Sequence, residues 1–219
     1  MSAPLVCRPE STRPGLLVVR LGSTTLGDDA LRRALRESKV LWGVSGLSVL
    51  EVPGRDFTRL ADIRPIVVSR RALFVAEGDQ LTSAGFSLLP TFDHPHWTLL
   101  VDDDSSDGFA RLRALFRGPI PNPVFGRADE GYAPDMRTPA YDLWFDANSV
   151  DGSMIVDTLI SHGPRAADPA FQPRPGQTVS VGDDDESPLT ALVIERDGDR
   201  VRVRIQLADA VARRRPDVA

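Results

Sequence analysis

The chain has 219 residues, of which 42% are hydrophobic and 26% charged, and its formal net charge is −5. This composition excludes disorder over the whole chain, and no apolar run reaches the roughly 18 residues a membrane helix needs. The acidic balance disfavours non-specific nucleic-acid binding, which depends on neutralising phosphates.

From the N-terminus, Met1 to Pro14 carries Arg8, Glu10 and Arg13 and lacks an apolar core, so no secretory signal is expected. Cys7 is the single cysteine, which excludes an intrachain disulfide and a cysteine zinc site. A cytoplasmic protein is expected. Leu16 to Leu21 is an apolar run closed by Gly22 and predicts a strand. Gly27-Asp28-Asp29 precedes a predicted helix, Ala30 to Ser38. Leu31, Ala34 and Leu35 fall on one face of it, and Arg32, Arg33 and Arg36 on the other.

Leu47 to Val52 predicts a second strand, Phe57 to Ile63 a short helix and Pro65 to Ser69 a third strand. Asp79 to Ala84 reads as one helical turn, with Gly85 as a left-handed C-terminal residue. Phe86 to Phe92 and His96 to Val101 are the next strands, joined tightly through Asp93-His94-Pro95. Ser105-Ser106-Asp107 caps a predicted helix from Gly108 to Phe116.

A break follows, because Pro119, Pro121 and Pro123 cannot continue a helix and predict a stiff extended segment. Residues 126–140 read as a polar linker or long loop. Tyr141 to Phe145 predicts a strand, and Ser153 to Ser161 a helix ending at Gly163. Gln177 to Val181, Leu189 to Arg196 and Arg200 to Leu207 predict three strands. An acidic turn, Asp183 to Glu186, joins the first two, and Asp197-Gly198 makes a hairpin between the second and third. Ala208 to Arg215 reads as a terminal helix.

The expected class is α/β, in the α+β sense. An N-terminal mixed sheet of about five strands carries packed helices, and the C-terminal module ends in a small antiparallel meander or partial barrel. The expected division is an N-terminal domain at 15–118, a proline-rich linker at 119–140 and a β-rich module at 141–215. Charge follows it: residues 1–126 carry a net of +1 and residues 127–219 a net of −6. Lys39 is the sole lysine among 26 basic residues, a bias that a GC-rich genome explains.

The most chemical-looking segment is Asp93-His94-Pro95-His96-Trp97-Thr98. His94 and His96, two apart, would face one way on a strand and could share a metal, but no third ligand is apparent, and none is expected. His96-Trp97-Thr98 resembles half of the signature of the two-histidine phosphoesterases, which carry a His-x-Thr or His-x-Ser on each of two strands. The resemblance covers about six residues, Pro95 to Leu100, and implies acid and base work on a phosphodiester. His162, followed by Gly163 and Pro164, does not form the second motif.

Other charged groups have local explanations. Asp102 to Gly108 lacks the twelfth-position glutamate of a calcium loop and reads as a helix cap. Asp142, Asp146, Asp151 and Asp157 surround one junction, either as turn and cap residues or as a site. Arg200, Arg202 and Arg204 form a ladder flanked by Glu195, Asp197 and Asp199, which predicts pairing within the chain.

Two functions are carried forward. The first is a non-catalytic interaction or regulatory protein, such as an immunity or antitoxin-like component of a toxin–antitoxin or defence system, with a protein partner and no cofactor. The alternative is an enzyme acting on RNA, a phosphodiester or a nucleotide. There His96 would be the acid or base, Thr98 would hold the phosphate, and Arg20 or Arg70 would stabilise developing charge.

Overall fold

The structure, a computed structural model, describes residues 6–8, 14–22, 26–126, 141–182 and 188–207. The predicted terminal helix, the acidic turn Asp183 to Glu186 and nearly all of the 126–140 segment lie outside these residues. The fold is α+β, with two sheets and four α-helices among the described residues.

The first sheet has six strands: β1 (Leu17–Gly22), β2 (Gly46–Glu51), β3 (Ala72–Glu77), β4 (Ser87–Pro90), β5 (His96–Leu100) and β6 (Arg117–Pro121). Their order is β4-β5-β2-β1-β3-β6, and every neighbouring pair is antiparallel, where a mixed sheet was expected. Both faces are covered, which is why β1 reads as a nearly continuous apolar run. Leu17, Val19 and Leu21 point toward the second sheet. Val18, with Val49, Phe74, Trp97 and Leu99, points toward the helices α1 (Asp28–Trp42), α3 (Gly78–Ser83) and α4 (Ser106–Leu115). α2 (Phe57–Ile63) matches its expected span. α1 stops where Gly43 adopts φ 78° and its N–H bonds the Lys39 carbonyl, a left-handed cap.

The second sheet has five strands: β7 (Leu143–Trp144), β8 (Ile155–Leu159), β9 (Thr178–Gly182), β10 (Leu189–Asp197) and β11 (Arg200–Gln206), in the order β7-β9-β10-β11-β8. β9, β10 and β11 form the expected antiparallel meander, and β7 joins β9 in parallel. Val201, Val203 and Ile205 alternate onto the buried face, as their period of two requires.

Two predicted elements are corrected. Pro65–Ser69 is a 3₁₀ turn instead of a strand. Pro65 opens it, the Ser69 hydroxyl donates back to the Ile66 carbonyl, and the Asn122 amide donates to the carbonyls of Val67 and Arg70. Its apolar residues Ile66 and Val67 are fully buried, which is what mimicked a strand core. The predicted helix at 153–161 is β8 followed by a 3₁₀ turn at Ile160–His162. Val156 and Thr158 are buried with Asp157 facing away between them, a strand period carried by β-branched side chains. The prolines at 119 and 121 lie in β6 at the sheet edge, where a missing N–H is tolerated.

The segments 15–118 and 141–215 contribute to one apolar cluster: Leu21, Leu50 and Val75 share it with Phe145, Val181 and Val203. A polar clamp joins them as well. The Asn148 side chain accepts from the Leu21 N–H at 2.6 Å and donates to the Leu21 carbonyl at 3.1 Å.

Candidate functional site

The seam between the sheets is filled along most of its length and opens at one end into a cleft of about 330 Å³. From the first-sheet side, Trp42 at the end of α1, Arg64 after α2, Phe92 and Asp93 between β4 and β5, and His96 of β5 line it. From the other side come Val150, Asp151, Ile155, Val156 and Asp157, with Arg202 of β11. Apolar and aromatic surface with a few polar groups is the usual lining of a small-molecule site.

His96 sits on the floor, 2% exposed. Its Nδ1 is 2.8 Å from the Thr91 hydroxyl, which lies 2.8 Å from the Thr98 hydroxyl. His96 and Thr98 therefore face the same way, as their spacing predicted. Burial, reinforced by the Arg64 guanidinium, lowers the imidazole pKa from 6.5 to about 3, so the ring is neutral at physiological pH. Its Nε2 is buried without a hydrogen-bond partner among the described residues.

Arg64 is 1% exposed. Nη1 and Nη2 donate to the two carboxylate oxygens of Asp93 at 2.9 and 2.7 Å, and Nη2 also donates to the Asp93 carbonyl. Burial works to raise the Asp93 pKa, but Arg64's hydrogen bonds and charge outweigh it and hold the carboxyl below its ordinary value. Arg64 Nε is buried and unpartnered among the described residues.

Phe92 joins these groups to the aromatic wall. It holds φ 51°, a left-handed conformation that a bulky residue rarely adopts. Its ring packs edge-on to Trp42, centroids 4.8 Å apart, and to His96 at 5.0 Å. Asp157 accepts from Arg200 at 2.6 Å and from Arg202 at 3.0 and 3.1 Å. Arg200 and Arg202 of the arginine ladder are thus paired within the chain, mainly by a residue of β8, while Arg204 is exposed.

The expected site residues are not all brought together. His96 and Thr98 meet, through Thr91. Arg20 is buried beside the Ser48 carbonyl at 2.7 Å and the Asp146 carboxylate at 3.1 Å, and it does not line the cleft. Arg70 lies over the Phe145 ring, 5.3 Å from its centroid, also off the cleft. The guanidinium groups at the cleft are those of Arg64 and Arg202. His94 turns to the Glu51 carboxylate at 3.7 Å while His96 turns to Thr91, so the two imidazoles do not share a centre. Among the described residues no three metal-ligating side chains converge.

The aspartate cluster divides. Asp142 pairs with Arg165, and Asp146 caps the 3₁₀ turn Ala147–Ser149 and pairs with Arg20. Asp151 accepts the N–H groups of Ser153 and Ile155 and reaches the cleft with Asp157. Sequence reasoning did not place Arg64, Trp42 or Phe92 in a site, because only the packing of separate elements assembles them. A search of protein-family models, of characterised proteins and of solved structures gave no match to this chain.

Proposed function

We propose that this is a non-catalytic binding protein of the interaction or regulatory kind, and that the cleft at the sheet seam is its recognition site. The observation that carries this reading is the state of His96. Its ring is 2% exposed and its Nδ1 is tied to the Thr91 hydroxyl, and burial keeps it neutral at physiological pH, so it carries no imidazolium proton to give and is a weak base, poorly matched to general acid–base work. The carboxylates beside it support the same reading, since Arg64 holds Asp93 and two arginines hold Asp157. Such a set is suited to holding a shape and poorly suited to moving protons. The net charge of −6 on residues 127–219 suits a basic protein partner for the output of such a protein.

The test is an assay of the intact chain on RNA and on nucleoside 2′,3′-cyclic phosphates, with wild type and His96→Ala compared below both melting temperatures. We expect no turnover above background in either. Turnover by the wild type that falls roughly 10²- to 10⁴-fold in His96→Ala would establish the phosphodiester enzyme instead.

A further inference from the structure

We propose that residues 6–8 form a detachable strap that holds the aromatic wall of the cleft in shape, and that its release frees Phe92 from the contacts framing the cleft. The regulatory meaning of the strap rests on the reading of the cleft as a recognition site.

The three residues lie antiparallel beside the end of β4, with Cys7 opposite Thr91. The Arg8 N–H donates to the Pro90 carbonyl at 2.8 Å, and the Phe92 N–H donates to the Val6 carbonyl at 2.8 Å. Pro90 has no N–H to return. The Arg8 side chain adds the stronger hold. Its Nη1 donates to the carbonyls of Thr91 at 2.7 Å and His96 at 2.8 Å, with the Phe92 carbonyl at 3.5 Å. The same guanidinium lies 5.8 Å from the centroid of the Trp97 ring. One charged group therefore gathers both ends of the connection between β4 and β5.

That connection carries the cleft wall. Phe92 holds φ 51°, and a bulky residue keeps such a conformation only where its neighbours over-determine it. The strap bonds the Phe92 N–H and approaches its carbonyl, so it supplies part of that constraint. The ring is thereby set against Trp42 and His96, which line the cleft with it. Freed of the strap, Phe92 can return to an ordinary backbone conformation and carry its ring out of the wall. Val6 is 59% exposed and Cys7 is exposed, so the strap buries little apolar surface, and segments of that kind open locally. By linkage, an occupant packed on Phe92 tightens the strap, and whatever displaces the strap weakens that occupant.

The experiment is native-state hydrogen exchange on the full chain in zero and sub-denaturing urea, with the NMR ring contacts of Phe92 recorded in parallel. In wild type the amides of Arg8 and Phe92 should be protected but open roughly tenfold or more faster than those of the central strand β1. Their exchange should ignore urea, the mark of a local opening. Arg8→Ala removes the guanidinium and should speed the Phe92 amide roughly tenfold or more, the usual worth of a charged hydrogen bond. Arg8→Pro also removes the main-chain donor to Pro90. It should erase the contacts of the Phe92 ring with Trp42 and His96 while exchange in β9–β11 stays as in wild type and the melt stays cooperative.

A wild-type Phe92 amide that exchanges at the unprotected rate would overturn the proposal, because no strap would be in place. One whose urea response matches β1 would overturn it as well, because the strap would not detach by itself. So would Phe92 ring contacts that survive Arg8→Pro, since the wall would then stand unaided. Should Arg8→Pro fail to melt cooperatively, Arg8→Ala decides. Faster exchange confined to residues 91–96 supports the strap, and a rise shared with β1 contradicts it. None of these rates depends on His96-dependent phosphodiester turnover, which would sink the recognition reading and leave the strap itself untouched.

Discussion

His96 and Glu37 are both buried titratable side chains, and they move stability in opposite directions as pH changes. The folded pKa of His96, about 3, lies below its ordinary 6.5, so the unfolded chain takes up the proton first. Stability is therefore lost as pH falls from 6.5 toward 3, by up to about 1.4 kcal/mol per pH unit from this group. Glu37 on α1 behaves oppositely. Burial, with the nearby Asp146 charge, raises its pKa well above 4.5, against the bond it accepts from Thr158 at 3.1 Å. Its contribution is complete below 4.5 and is lost as pH climbs to the raised value. Glu37→Gln keeps an acceptor for Thr158, and we expect it to remove this group's loss of stability as pH rises from 4.5. The difference in urea-melt stability between wild type and Glu37→Gln, followed upward from pH 4.5, reads this directly, and a difference that does not change with pH would contradict it. His96→Ala takes one of two partners from the buried Thr91 hydroxyl, which keeps Thr98, and should cost about 1 kcal/mol at pH 7. The gap between it and wild type should narrow as pH falls below 6.5, because only wild type carries the imidazole linkage. At this scale the sequence shows that His96 and Thr98 share a face, since period two is local. It does not show Thr91 between them, because that contact depends on how β4 and β5 pair.

Among the elements, those with a clear period or strong end signals were legible: β1, α2, β5, α4 and the β9–β11 meander. The two misread segments failed for one reason. Short apolar runs of β-branched residues fit a strand, a buried turn or a helix face, and tertiary partners choose among them. In β8 the choice rests on pairing with β11, where Asp157 meets Arg200 and Arg202. Asp157→Asn should therefore destabilise the chain by about 1 kcal/mol, a modest figure because both arginines are partly exposed and water screens them. The loss should shrink in 1 M salt, where the Debye length is about 3 Å. Chemical denaturation in urea at two salt concentrations measures it. No loss at low salt would remove this ion pair from the account of β8.

At the scale of the whole molecule, the first sheet is covered by helices on one face and by the second sheet on the other. The sequence indicates two sheets but not that they share a core, because alternation along a strand says which side is buried and not against what. Phe145 is fully buried in the shared cluster, and Phe145→Ala should cost about 3–5 kcal/mol. A shared core also requires that the loss appear as a shift of one calorimetric transition. A transition that splits in two, with one part unmoved, would show that the sheets melt independently. The same seam buries His96 and opens as the cleft beside it, so the titration of that imidazole reports on the packing of the molecule and on the character of the site together. The most direct test is nitrogen and carbon NMR of the His96 ring in the intact chain from pH 8 down to the acid limit of folding. A ring that stays neutral to pH 4, with a midpoint near 3, is the predicted result. A midpoint between 6 and 7 would put a working acid–base group in the cleft and contradict the non-catalytic reading.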